Sequence, residues 1–353
     1  MAQPPLPESV LRETLDLVRE HGGVSAAAIA AGLPRGTFES RYQRARVWAE
    51  AQAAPPEKPF AAPVLPEDVP TADELIARRR KQFERKSAAH DARALVPVRV
   101  TVDGPFGLAL MGDPHVDDDG TDIALLERHV AIINRTEGLL AGNIGDYSNN
   151  WVGRLARLYG EQSLSAQEAW VLVEWLVRSV HWLFLIGGNH DCWSGAGDPI
   201  KWMAKSARVA YEAHGMRLGL TTPKGRVIRL NARHDFSGRS QWNTAHGPAK
   251  AAQLGWRDHV LACGHTHVSG HNVLRDPASG LISHALRIGS YKTLDRYAEE
   301  KGLPNQTFMV SPVVVVRPQF ADDDNRLITV HYDPETGADF LSFLRRRKSE
   351  RAA

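Results

Sequence analysis

Cysteine is nearly missing from this chain of 353 residues: only Cys192 and Cys263 occur, and neither belongs to a Cys-x-x-Cys pattern. A disulfide-rich secreted scaffold and a cysteine-based structural zinc site are therefore excluded, and both thiols read as small hydrophobes. Long apolar runs are missing as well. No stretch reaches the roughly eighteen residues that a membrane-spanning helix needs. The start, MAQPPLPESVLRETLDLV, has no basic region followed by an apolar run and a cleavage site, so no signal peptide is expected. Nor does one charge dominate: 43 Lys and Arg against 41 Asp and Glu give a formal +2. A polycation that coats nucleic acid along its whole surface is ruled out. These absences predict a soluble, cytoplasmic protein with no membrane partner. Abundance lies elsewhere, in 15 histidines and 9 tryptophans. At roughly 150 residues per domain the length suggests about two domains, with enough chain to bury a core unaided.

Residues 1–53 read as a small all-helical unit. Leu11, Leu15, Leu17 and Val18 form a stripe at helical spacing that Gly22 and Gly23 stop. Ser25 is placed to cap a short second helix through Ala31, Gly32 and Leu33 make a turn, and Thr37 to Trp48 form a third helix. Helix, short helix, glycine-containing turn and helix is the order of a helix-turn-helix. The third helix carries Arg35, Arg41, Arg44 and Arg46. It suits a nucleic-acid groove, or equally a bundle for docking; six basic and six acidic residues in this unit leave the electrostatic support local. Residues 54–95 hold a linker and a basic helix. The stretch 51–70 has six prolines and predicts a stiff, extended connection. Thr71 and Glu74 then open a helix with a capping box, and Arg78, Arg79, Arg80, Lys81, Arg85 and Lys86 make it basic, either to track phosphates or simply as a solvated face.

At Val96 the period changes from helix to strand. An α/β domain is expected over 96–335, opening with a strand pair at 96–102 and 106–111. Later strands are expected at 138–142, 182–187, 226–231, 259–263, 284–289, 308–316 and 326–332, with helices at 121–135, 165–180 and 199–213. That alternation suits two packed sheets with helices outside. Residues 336–353 read as a basic C-terminal tail, with FLSFLRRRKSERAA a short helix that ends basic, frayed and solvated.

Five polar clusters fall at or just after strand ends: Asp113-Pro-His115, Gly145-Asp146-Tyr-Ser-Asn149, Gly188-Asn189-His190-Asp191, His234-Asp235 and Gly264-His265-Thr-His267. Taken singly, each reads as a turn or a core histidine. Together they bring carboxylate, imidazole and amide oxygens to one sheet edge, where ligands bind in open α/β folds. The donor mix suits Mn, Fe, Zn, Ni or Co. Two neighbouring cations need a shared anion, and such a pair activates water and steadies a phosphoryl centre.

The string DPH, GDYSN, GGNHD, H and GHTH closely resembles the calcineurin-like metallophosphoesterase family over about residues 104–295. GDPHVDDDG, NNWVGRLARLYGEQS and GGNHDCWSG also resemble a subgroup encoded by bacteriophages and prophages, which implies the cytoplasm of a bacterium or an infected host. The family resemblance implies an αββα sandwich of two sheets and a binuclear centre holding two divalent transition-metal ions, with manganese favoured. One ion would be held by Asp113, His115, Asp146 and His267, the other by Asp146, Asn189, His234 and His265. His190 would donate a proton or stabilise charge, Asp191 would orient it, and the nucleophile would be a metal-activated hydroxide. A second alignment stays open, in which Asn143 bridges and Asp146 follows; an anionic bridge favours Asp146. Asn149, Arg154 and Arg239 are candidate substrate contacts, Arg154 and Arg239 through guanidinium clamps on phosphate. Asp117, Asp118 and Asp119 read as a solvated turn, and Trp151, Trp193 and Trp242 either stack on bases or pack.

The expected function is a metal-dependent phosphoesterase, a phosphodiesterase or nuclease acting on DNA, with DNA held through the N-terminal unit. The alternatives are a phosphomonoesterase on a metabolite or phosphoprotein, and a DNA-binding or assembly protein with an idle phosphoesterase domain.

Overall fold

The structure, a computed structural model, describes residues 5–53, 60, 68–192, 197–294, 299, 302, 304 and 308–352. It divides into two compact units, Met1–Leu75 and Ile76–Ala353.

In the first unit α1 (Glu8–His21), α2 (Val24–Ala30) and α3 (Arg35–Gln52) pack around Ala27, Ala28 and Phe38. Gly22 ends α1 in the left-handed region, φ 70°. The expected Ser25 cap is not made: α2 opens two residues earlier, Gly23 holds the cap position, and no side chain bonds there. Arg41 also departs from a groove-facing role. It donates to Thr14 Oγ1 at 2.6 Å and to the Val10 carbonyl at 3.2 Å, and pairs with Glu13 at 2.9 Å, so its charge ties α3 to α1. Arg35 and Arg46 remain on the exposed side of α3. The proline-rich stretch 51–70 lies largely outside the described residues.

Helix α4 (Ala72–Arg93) opens with the expected box: Glu74 N–H donates to Thr71 Oγ1 at 3.3 Å and Thr71 N–H to Glu74 Oε2 at 2.8 Å. No residue of α4 is buried.

The second unit is an αββα sandwich. Its strands are β1 (Val96–Arg99), β2 (Phe106–Met111), β3 (Leu139–Asn143), β4 (Trp182–Ile186), β5 (Ala210–Glu212), β6 (Gly215–Thr221), β7 (Val227–Arg233), β8 (Val260–Cys263), β9 (Gly270–Arg275), β10 (Ile282–Arg287), β11 (Val313–Val316) and β12 (Ile328–His331). They form two six-stranded mixed sheets, ordered β1-β6-β7-β8-β10-β9 and β12-β11-β2-β3-β4-β5. Phe106, Leu108 and Leu110 face Leu218, Leu230 and Val260 between the sheets. The other side of the second sheet packs on α5 (Ile123–Arg135), α6 (Ala166–Ser179), α7 (Pro199–Ser206) and α9 (Pro334–Ala352), through Leu126, Val173, Ile200 and Leu341 among others. Leu261 and Cys263 on the outer side of the first sheet meet the end of α8 (His246–Ala251).

Several expectations change. β1 and β2 do not pair: β1 joins β6 and β2 joins β3, so the chain crosses between sheets at 100–105. The helix expected over 199–213 stops at Ser206, because Arg208 turns left-handed (φ 57°) and β5 follows. β6 and β9 were not anticipated; two glycines in GMRLGLT dilute the alternation. The C-terminal segment is helical as expected but not merely solvated, since Ala338 and Leu341 are core residues of α9.

Candidate metal centre

Every expected ligand follows the C-terminal end of a strand: Asp113 and His115 after β2, Asp146 after β3, Asn189 after β4, His234 after β7, His265 and His267 after β8. β2, β3 and β4 belong to one sheet, β7 and β8 to the other, so the centre straddles the seam between them.

Two sets of donors converge. In the first, Asp113, His115 and His267 gather, with His115 Nε2 and His267 Nε2 only 3.2 Å apart. In the second, Asp146, His234 and His265 gather, with His234 Nε2 and His265 Nδ1 also 3.2 Å apart. Asn189 Oδ1 lies 2.8 Å from His234 Nε2 and so joins the second set. Asp146 Oδ2 is 3.3 Å from His234 Nε2 and 3.9 Å from His115 Nε2, which sets one oxygen toward both. Its Oδ1 is taken by the His190 N–H at 3.0 Å. The shared contact is thus a single oxygen of Asp146. Asn143, the rival for that place, turns its Oδ1 to the Gly145 N–H at 3.0 Å.

The donor chemistry fits divalent cations. Facing imidazole lone pairs repel unless a cation or proton lies between them. His234 Nδ1 sits 3.0 Å from the Ile144 carbonyl; a proton kept there would leave the Nε2 lone pair to a bound cation, whereas without one Nε2 faces Asp146 as a hydrogen-bond donor. The backbone is strained where the ligands sit: Asp113 (φ 49°), His115 (φ 39°), Asp146 (φ 54°), His265 (φ 71°) and His267 (φ 56°) are all left-handed without being glycine. Each such residue costs on the order of 1–3 kcal/mol, and strain of this kind clusters at functional sites. Close approach is allowed by glycine: a Cβ on Gly188 would lie 2.0 Å from Asp146 Oδ1, and one on Gly264 2.0 Å from Asp113 Oδ2.

Burial sets the electrostatics. It pushes Asp113 up to about 6, against the pull of the His234 and His267 rings. It acts on Asp146 in the same sense, but the His234 hydrogen bond and the surrounding imidazoles outweigh it and hold that carboxyl well below its usual range. Burial depresses His115, with His267 and His190 adding to the effect.

His190 points at the same space. Its Nε2 is 3.9 Å from Asp146 Oδ2, and its Nδ1 is 2.6 Å from the Asn149 carbonyl. That carbonyl stands where an orienting carboxylate was expected. Asp191 serves another purpose: its carboxylate accepts N–H groups of Asp146 (2.7 Å), Tyr147 (3.1 Å) and Gly188 (2.8 Å), stitching the loop after β3 to the loop after β4. Burial and the Asp146 charge push Asp191 up to about 8. Asn149 is buried and supports the site from within. Its carbonyl holds His190, its N–H donates to Asp117 Oδ1 at 2.7 Å, and its Nδ2 donates to Asp118 Oδ2 at 2.9 Å.

The aspartate triplet forms the expected turn with Asp119 exposed, but its carboxylates are not simply solvated. Asp117 is fully buried, Asp118 pairs with Lys292 at 3.0 Å, and Asp119 accepts from the Ser163 N–H at 3.1 Å. The three carboxylates fasten residues 149–163, with their 3₁₀ helix Gly153–Glu161, beside the centre. Trp151 in this segment donates to Gln162 Oε1 at 3.0 Å and lies edge-on to His190, 5.4 Å between ring centres. Trp242 is fully solvent-facing. Trp193 and the Arg154 side chain lie outside the described residues. Arg239 is exposed, and its charge disfavours protonation of His265 after burial and His234 have done so. Burial also pushes the thiols up, Cys192 to about 11 and Cys263 to about 12, so neither is a nucleophile.

Sequence reasoning missed Arg287, at the end of β10. This buried guanidinium donates to the Gly264 carbonyl at 2.7 Å, Thr266 Oγ1 at 3.1 Å and the Thr244 carbonyl at 2.9 Å, and pairs with Asp235 at 3.1 Å. It fixes the loop that carries His265 and His267. A lone arginine inside the apolar run SHALRIGS was the available signal.

No family model matches the chain, and no curated protein matches it. Among solved structures it is similar to the calcineurin-like phosphoesterase YfkN from Bacillus subtilis, at 10% identity over 70% of this chain and 98% of that one, TM-score 0.36. It is also similar to Vps29 from Chaetomium thermophilum, at 11% identity over 64% and 92%, TM-score 0.29. No described helix is long and apolar enough to cross a membrane.

Proposed function

We propose that the protein is a metal-dependent phosphoesterase, a phosphodiesterase or nuclease that acts on DNA. The observation that carries the hydrolytic reading is the pair of donor sets, each closing to 3.2 Å between ring nitrogens, on either side of Asp146 Oδ2. Asp113, His115 and His267 would hold one divalent ion, His234, His265 and Asn189 the other, with Asp146 between them. When bound, the two ions supply activated water and neutralise charge on the phosphoryl group. His190 then delivers a proton from Nε2 to the leaving oxygen while the Asn149 carbonyl keeps the ring in place. Arg239, exposed beside His265, binds a non-reacting phosphate oxygen.

DNA as substrate is supported by the three-helix unit, with Arg35 and Arg46 on the exposed side of α3, and by the row of exposed cations on α4. The deciding experiment compares manganese-dependent hydrolysis of bis-p-nitrophenyl phosphate, p-nitrophenyl phosphate and linear DNA, with and without residues 1–53. Turnover of the diester and of DNA is expected, with truncation reducing only the DNA reaction. Preference for the monoester, indifferent to truncation, would point to a phosphomonoesterase. No turnover at full metal occupancy would leave an idle domain.

A further inference from the structure

The opposite end of the sandwich carries a second concentration of charge. β11 runs antiparallel to β2, so Val316 pairs with Phe106 at the start of β2, and the β6–β7 hairpin turns at the same end. Six residues of β2, about 20 Å at 3.3 Å each, separate this end from the metal centre. A cleft of about 650 Å³ opens there, lined by Lys224, Arg317, Phe320, Arg326, Arg347 and Lys348.

Two of these five cations are already neutralised. Lys348 pairs with Asp103, and Arg326 with Asp324 at 2.7 Å. Among the described residues no ion pair uses Lys224, Arg317 or Arg347. Arg317 Nε is buried and has no hydrogen-bond partner. Leaving such a donor unmet costs about 1–3 kcal/mol, more when it is charged. Burial, with the Arg326 charge added to it, makes Arg317 harder to protonate than an ordinary arginine. Both guanidiniums lie over the Phe320 ring, Arg317 at 5.2 Å and Arg326 at 4.2 Å from its centre. The deficit in this cleft is therefore of negative charge and of acceptor atoms. Phosphate oxygens meet both needs, and guanidinium binds them in a fork. The volume falls in the range of small-ligand sites.

We propose that this cleft is a second ligand site, separate from the metal centre, which binds the phosphate groups of a nucleotide. The nucleotide is either free or one unit of a nucleic-acid strand, and the phosphate chemistry is the same for both. The assignment does not depend on the reaction at the metal centre.

Titration calorimetry on the full chain tests it, with ADP and a short single-stranded oligodeoxynucleotide as probes. Arg317→Ala/Arg347→Ala is expected to weaken binding at least about tenfold, the equivalent of 1.4 kcal/mol. Hydrolysis of bis-p-nitrophenyl phosphate is expected to stay unchanged, since that substrate needs only the metal end. Lys205→Glu on α7, away from the cleft, is expected to leave binding unchanged. Should the double variant lose its cooperative thermal transition, Lys224→Glu on the exposed hairpin carries the test, with a loss of about threefold expected. Binding that the double variant weakens for ADP alone would identify a free nucleotide, and for the oligonucleotide alone a strand. No binding of either probe, or an unchanged isotherm in the folded variants, overturns the proposal.

Discussion

The two ends of the sandwich are built from the same strands and differ in kind. At the C-terminal end of β2 charged and polar groups of opposite character crowd together, and five of the ligand residues hold left-handed backbone to do so. At the N-terminal end the basic side chains keep one sign in excess, and the turns there use glycine, as Gly104 (φ 85°) and Gly225 (φ 83°) do. Strain is accepted where several side chains must point at one place. It is avoided where a cleft only has to present charge. The metal end brings several side chains to one point, whereas the far end presents charge along a wall.

Four changes press on that contrast. The largest effect is expected for Asp146→Asn, which removes the one anion facing both donor sets. Metal analysis should show both ions released and turnover down by about a thousandfold or more. Retention of two tightly held ions would restore Asn143 as the bridge. Next, His190→Ala is expected to keep both ions and to lose about 10²–10⁴ in rate, the range of a proton-transfer group. Wild-type turnover would remove its role. Third, Arg287→Met leaves the Gly264 carbonyl and Asp235 without their buried partner, and should lower metal affinity by about 10–100-fold, as loss of a supporting contact does. An unchanged metal titration would show that the loop holds itself.

The smallest effect is expected from the other half of β10. Burial, with the neighbouring His271 and His259, pushes His284 from 6.5 down to about 4. The unfolded chain therefore takes up this proton more readily than the folded one. The stability involved is complete above pH 6.5 and is lost as pH falls toward 4, by up to about 3 kcal/mol. Denaturant titrations across that window should show the slope, and His284→Gln should flatten it. A wild-type slope in the variant would assign the loss to other groups.

Much of the architecture could be read along the chain. Alternation and apolar runs located most strands, because a half-buried sheet imposes a period of two on the residues themselves. The strands that escaped, β5, β6 and β9, are short, rich in glycine or partly exposed, and hold their places through neighbours that local pattern does not record. The ligand candidates were legible as residue types at strand ends. What each supporting residue does was not. Asp191 follows His190 in sequence, yet its carboxylate serves the amides of Asp146, Tyr147 and Gly188, because the fold brings those N–H groups to it.

The amino acids by themselves determined which atoms are available to bind metal and phosphate, since donor chemistry belongs to the side chain. The tertiary structure decided which of them meet. It set Asp146 between two groups of imidazoles, gave His190 to a main-chain carbonyl, drew Arg287 beneath the histidine loop and left the buried Arg317 Nε without a hydrogen-bond partner at the far end. These outcomes depend on contacts between residues tens to hundreds of positions apart, which exist only once the two sheets have closed on one another.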